Sequence, residues 1–195
     1  MSLVSSSGSL SLPSAQASPG LRVAEALAFS FVIGLCAQIR IALPFTPVPI
    51  TGQTLAVLGA GAVLGSRFGV LAVLFYLAEG ILGLPFFAGG ASGGGHFFGP
   101  TAGYLLGFLP AAGLTGWLAA RGWDRTPARA AAMTALGSGV VFACGLAGLA
   151  GFVPAGALLQ AGLLPFLPGD FVKIAIAAAA VPAWRRIADG IESGN

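Results

Sequence analysis

Six apolar runs, each closed within two residues by an arginine or a proline, constrain this chain more than any other feature. The first occupies residues 22–43, long enough to cross a hydrocarbon layer of about 30 Å at 1.5 Å per helical residue. The others lie at 51–65, 68–84, 101–120, 130–152 and 169–184. Water-facing helices would need charge along one side, and only 8% of the residues are charged, against roughly a quarter in ordinary soluble domains. With 56% hydrophobic residues and 31 glycines, the pattern predicts one all-α integral membrane domain over 21–187, a six-helix bundle packed through small residues. Residues 1–20 are serine-rich, lack a basic residue and lack a long apolar core. They read as a disordered cytoplasmic tail rather than a secretory signal, and 188–195 reads as a short C-terminal tail.

Orientation follows from the basic residues in the short connections. With the N-terminus inside, Arg22, Arg67, Arg121, Arg125, Arg129, Arg185 and Arg186 fall at the cytoplasmic face and only Arg40 and Lys173 at the other, which leaves both termini cytoplasmic. The net charge of +3 therefore marks orientation. Nucleic acid is not implied, because the arginines sit at run ends and form no stripe interleaved with aromatics. The outer face receives three connections: a proline-rich one at 43–50, a glycine-rich one at 85–100, and the stretch leading into Asp170. Together they are placed to cover one pocket.

Asp170 and Lys173, three apart at the start of a run that is otherwise apolar from 174 to 181, share a helical face. Such a pair is either an interhelical brace or a binding site, and the physics of the sequence alone leaves the two equal. Gln53 opens the second run, Glu79 lies near the end of the third and Tyr104 near the start of the fourth, all at the same end. Phe86, Phe87 and these polar groups describe a site for a small amphipathic ligand, with Lys173 suited to a carboxylate and Asp170 and Gln53 to amide-like N–H groups. Tyr104 is equally read as an interfacial anchor.

Gly89, Gly90, Gly93 and Gly94 punctuate the long connection, but no Gly-Lys-Ser/Thr follows them, so no nucleotide loop is present. His96 is the single histidine, with no acidic or cysteine neighbour at ligand spacing. Cys36 and Cys144 fall inside apolar runs and read as buried thiols, with no metal or disulfide framework. Ala24 and Ala28, four apart, form a small-residue groove whose plain reading is packing within the bundle.

Four stretches in order carry a likeness to a known family: Phe45-Thr46-Pro47-Val48-Pro49-Ile50-Thr51-Gly52-Gln53-Thr54-Leu55-Ala56-Val57-Leu58, Gly83-Leu84-Pro85-Phe86-Phe87-Ala88-Gly89-Gly90, Gly99-Pro100-Thr101-Ala102-Gly103-Tyr104-Leu105 and Gly169-Asp170-Phe171-Val172-Lys173. They resemble the BioY proteins, the biotin-specific S components of energy-coupling factor (ECF) transporters. The resemblance implies a six-helix S-component fold in a prokaryotic cell membrane. It implies capture of biotin at the outer face and release inside, driven by a transmembrane coupling protein and paired ATPases. It assigns Asp170 and Lys173 to ligand binding, with Gln53, Tyr104 and the Gly89 to Gly95 loop beside them, and His96 after the loop is counted among the ligand-binding residues. It also turns Ala24 and Ala28 toward the coupling protein. No catalytic residue, metal or cofactor is expected, and ATP would be used only by partners. Two departures stand out: the stretch 91–96, and Glu79 where an apolar residue is expected. An S component for another vitamin, or a membrane-embedded enzyme using Asp170 and His96, are the competing readings.

Overall fold

The computed structural model describes residues 18–193. The tail expected over 1–20 lies outside the described residues as far as residue 17, and the chain is helical from Pro19. Ser18 caps the start, its hydroxyl accepting the Leu21 N–H at 3.4 Å, and proline at the first helical position lacks only an N–H that has no partner there anyway. Helix α1 spans Pro19–Gln38 and stops short of the expected 43. The proline cluster is instead drawn into a hairpin: strand β1, Arg40–Ile41, pairs antiparallel with β2, Ile50–Thr51, with Arg40 opposite Thr51. The Gly52 N–H then bonds to the Ile39 carbonyl at 3.0 Å, bringing the chain back beside the end of α1.

Helix α2, Gln53–Ile81, doubles back on itself. Gly65 has φ 79° and ψ 172°, a left-handed backbone that strains any residue with a Cβ. Straight, the helix would carry Gln53 and Tyr76 about 35 Å apart. Their side chains are instead hydrogen-bonded, and a Cβ on Gly69 would come within 2.7 Å of Gly61 Cα. The break falls between the second and third apolar runs. The first limb, 53–64, is only about 18 Å long at 1.5 Å per residue, shorter than the bilayer core.

The chain continues through a short α3 (Gly94–Phe97), α4 (Ala102–Ala119), α5 (Pro127–Leu149), a 3₁₀ turn at Ala155–Ala157, α6 (Leu158–Gly162), a second 3₁₀ turn at Leu164–Phe166, and α7 (Leu167–Ser193). The last helix thus runs on as far as Ser193, into the stretch read as a C-terminal tail. Five helices among the described residues are long and apolar enough to cross a membrane, with doubled-back α2 counted once. Helix α4 is central, wedged between α2 and α5, while α1 lies on α2 and α7 rests mainly on α5.

Backbone contact makes that wedge possible. A Cβ on Gly61 would lie 2.3 Å from the Ala112 carbonyl oxygen, one on Gly116 would lie 2.3 Å from Ser66 N, and one on Gly103 would lie 2.9 Å from Gly148 Cα. In lipid, association rests on such close packing rather than on escape from water. The outside is correspondingly apolar, with Leu21, Phe31 and Leu35 of α1 exposed, Leu35 to 70%. At the end opposite the hairpin, Arg121 stacks on Trp117 at 3.3 Å, and Arg185 of α7 pairs with buried Asp124 at 3.5 Å and with Asp189 at 3.0 Å. Burial pushes the Asp124 carboxyl above the usual range and the Arg185 guanidinium pulls it back.

The two glycines of α2's first limb make a matched test. Gly61→Ala forces backbone apart and should cost about 1–3 kcal/mol of stability. Gly59→Ala, with nothing within 4 Å of the added atom, should stay within about 0.5 kcal/mol of the parent. Thermal unfolding of both variants in detergent measures the difference.

Candidate ligand-binding site

The three connections singled out in the sequence meet at one end of the bundle. Thr46 donates its hydroxyl to the Ala161 carbonyl at 2.6 Å, joining the proline-rich connection to α6. The Gly93 N–H bonds to the Gly80 carbonyl at 2.8 Å, and the Arg40 guanidinium lies against Gly89, joining the glycine-rich connection to α2 and the hairpin. Beneath them is a cavity of about 660 Å³, counted with its open mouth. Val48 comes from the first connection, Phe87 and His96 from the second and Phe166 from the third. Gln53, Tyr104, Ser138 and Lys173 arrive from α2, α4, α5 and α7. The size and the mixture of aromatic wall with few polar groups match a site for a small organic molecule.

Lys173 lines the cavity and makes no salt bridge with a described carboxylate. Asp170 does not line it. Its carboxylate is buried behind the wall and accepts the Ser138 hydroxyl at 2.8 Å, so the two charges do not brace each other directly. The sequence offered no signal for Ser138, because a serine on an apolar helix is ordinary until the fold sets an acid opposite it.

Gln53 is pinned from both ends. Its amide donates to the Tyr76 hydroxyl, and its carbonyl accepts the Thr51 hydroxyl at 3.1 Å. Tyr76, fully buried, is another residue that reading for polar groups at run ends passed over, since it lies mid-run. The Tyr104 hydroxyl donates to the Gly162 carbonyl at 2.7 Å while its ring rests on Gly145 and borders the cavity. Tyr104 is therefore a structural tie between α4 and α6 as well as a wall residue, and not an interfacial anchor.

The two adjacent phenylalanines separate. Phe87 is fully buried on the cavity wall, 5.8 Å from Tyr76 and stacked 5.5 Å from His96. Phe86 turns away from the cavity, its ring 5.1 Å from Phe31 and against Gly34 of α1. Glu79 likewise faces α1, accepting the Ser30 hydroxyl at 3.1 Å, and is absent from the cavity wall. Gly89, Gly90, Gly93 and Gly94 shape the loop without lining the space. Gly89 and Gly90 hold φ 73° and 77°, the left-handed turn that delivers Phe87 and returns the chain at Ala91. Ala24 and Ala28 are exposed on the outer side of α1, so packing within the bundle is not their use.

An all-helical bundle with apolar outer faces and an internal cavity bearing one unpaired cation is a multi-pass membrane protein built to hold a small polar ligand. The chain belongs to the BioY family, whose model matches residues 13–190. It is 44% identical over 165 residues to the biotin transporter BioY of Rhodobacter capsulatus, covering 74% of this chain and 86% of that one. It is 38% identical over 168 residues to the biotin transporter BioY of Rhizobium etli, covering 80% and 88% respectively. A solved structure of the S-component for biotin from an ECF-type ABC transporter superposes with a TM-score of 0.75 at 26% identity, over 86% of this chain and 92% of that one.

Tyr104→Phe removes the tie to Gly162 and strands a buried carbonyl. It should lower stability by about 1–3 kcal/mol, read as a fall in the unfolding temperature of ligand-free protein.

Proposed function

We propose that this chain is the biotin-binding S component of an ECF transporter, taking biotin at the face onto which the cavity opens and passing it inward with partner proteins. The observation that carries the reading is Lys173, a cation without a carboxylate partner in an aromatic-walled cavity of a BioY-family chain. Holding an unpaired ammonium there is costly, and a ligand carboxylate offsets the cost. Phe87, Phe108 and Phe166 offer apolar surface to a bicyclic ring, and Gln53 and Ser138, the latter backed by Asp170, supply the polar side of the site. Binding involves no chemistry on the ligand. The reading of Asp170 and His96 as catalytic finds no support in the geometry, since Asp170 lies behind the wall and His96 stacks on Phe87.

The proposed topology keeps six crossings, with the doubled-back α2 supplying two, and both termini cytoplasmic in a prokaryotic cell membrane. The seven arginines assigned to the inner face support it. Energy would come from a transmembrane coupling protein and paired ATPases, because the sequence contains no phosphate loop of its own. The exposed groove of Ala24 and Ala28, small enough for close approach of another helix, is the proposed contact with the coupling protein.

Isothermal titration of detergent-purified protein with biotin tests the ligand. Lys173→Ala should weaken binding about 10- to 100-fold, the worth of a charge-assisted hydrogen bond. The methyl ester of biotin should lose about as much on the parent and little on the variant. Tight binding of a different vitamin with none of biotin would replace the ligand. Ala24→Leu with Ala28→Leu should leave biotin affinity unchanged while reducing co-purification with the coupling protein severalfold. Unchanged co-purification would move that contact elsewhere.

A further inference from the structure

Asp170 is the acid that the sequence puts forward, yet the group that reaches the cavity is Ser138. Both side chains are buried, Ser138 to 2% exposure and Asp170 to 7%, and Ser138 alone of the two lines the cavity. A hydroxyl on a helix ordinarily returns its proton to the carbonyl one turn back, and neighbours here do so: Thr134 donates to Ala130 at 2.9 Å and Thr115 to Ala111 at 3.1 Å. Ser138 instead gives its proton across the helix interface to Asp170 Oδ1 at 2.8 Å.

The chemistry of a hydroxyl then decides what it offers. Serine has one proton and two lone pairs. With the proton committed to a carboxylate, Oγ faces the cavity as an acceptor only, and the buried negative charge behind it strengthens that acceptor. The Tyr104 hydroxyl on the same cavity has likewise given up its proton, to the Gly162 carbonyl, but only the Ser138 oxygen backs onto a carboxylate. Gln53 has one lone pair of its carbonyl engaged by Thr51 and one amide N–H engaged by Tyr76, with no charge behind it, and Lys173 can only donate. The cavity thus sets a charged donor at Lys173 and, among its acceptors, one at Ser138 that a buried carboxylate polarises.

We propose that Ser138 Oγ is the direct acceptor for a ligand N–H, and that Asp170 is a positioning residue acting through it. Resting on the biotin reading above, the contact is to a ureido N–H, while Lys173 takes the carboxylate. Selection for a ligand with an unsubstituted urea-type nitrogen then lies in a serine of α5 rather than in the acid of α7.

The test measures dissociation constants for biotin and for biotin methylated at both ureido nitrogens. The proteins are the parent, Ser138→Ala, Asp170→Asn and the double variant, with thermal unfolding without ligand as the check on folding. Ser138→Ala should weaken biotin about 10- to 100-fold and bring its affinity close to that of the methylated analogue. Asp170→Asn should cost less, and nothing further once Ser138 is alanine. An unchanged biotin-to-analogue ratio in Ser138→Ala would overturn the assignment. An Asp170→Asn loss equally large in the alanine background would give the contact to Asp170. If Ser138→Ala alone fails to fold because the Asp170 carboxylate is stranded, the double variant compared with Asp170→Asn measures the part of the loss that belongs to the hydroxyl without the carboxylate behind it, and equal affinities in those two would overturn the assignment. A parent protein that binds no biotin would overturn the proposed function and this assignment together, whereas one that binds biotin and is indifferent to Ser138 overturns only the latter.

Discussion

Backbone-on-backbone contact is what the rest of this structure depends on. Helix α4 can sit between α2 and α5 only because Gly61, Gly103, Gly116 and Gly148 let main chains approach where a methyl group would collide. In lipid there is no expulsion of water to hold helices together, so the contact distance itself decides how much dispersion energy each pair gains. The wedge of α2, α4 and α5 is the frame from which the cavity hangs. Tyr104, Gln53 and Ser138 each project from one of those helices, and their positions inherit the precision of the packing.

That frame makes a second economy possible. Polar groups inside a membrane protein are expensive unless satisfied, and at this end of the bundle nearly all are: Thr46 with Ala161, Gln53 with Tyr76 and Thr51, Tyr104 with Gly162, Ser138 with Asp170. Lys173 stands apart as a cavity cation outside any salt bridge among the described residues, although Asp170 lies one helical turn before it. With the polar groups around it tied down, an ammonium that faces the pocket outside any salt bridge gives a charged ligand a partner to find there. At the far end Arg185 bridges Asp124 and Asp189, a closed arrangement with a structural role.

Much of the architecture was legible in the residues because the physics is local. Apolar runs bounded by arginine and proline announce helices, and a glycine followed by Ser66 and Arg67 announces a turn. The proline-rich, glycine-rich and Asp170-bearing connections were visible as a group, and they do meet over one cavity. What local pattern could not supply was direction. Phe86 and Phe87 are chemically identical neighbours, and only the turn through Gly89 and Gly90 sends one into the cavity and the other against Phe31. Glu79 looked like a site residue by its position in the run, but its helical face is the one that meets Ser30 on α1.

The sequence by itself determined the membrane class, the order of the helices, the end at which the polar residues gather and, through four stretches in register, the family. These rest on composition and on spacing along the chain, which neighbours in space cannot alter. Tertiary structure alone decided the partners: that Asp170 binds Ser138 and not Lys173, that Tyr76 holds Gln53, and that α1 ends early so that the residues after it pair as a hairpin. Hydrogen bonds bridging 23 to 115 positions of sequence depend on which helical faces meet, and a list of residues does not contain that information until the chain has packed.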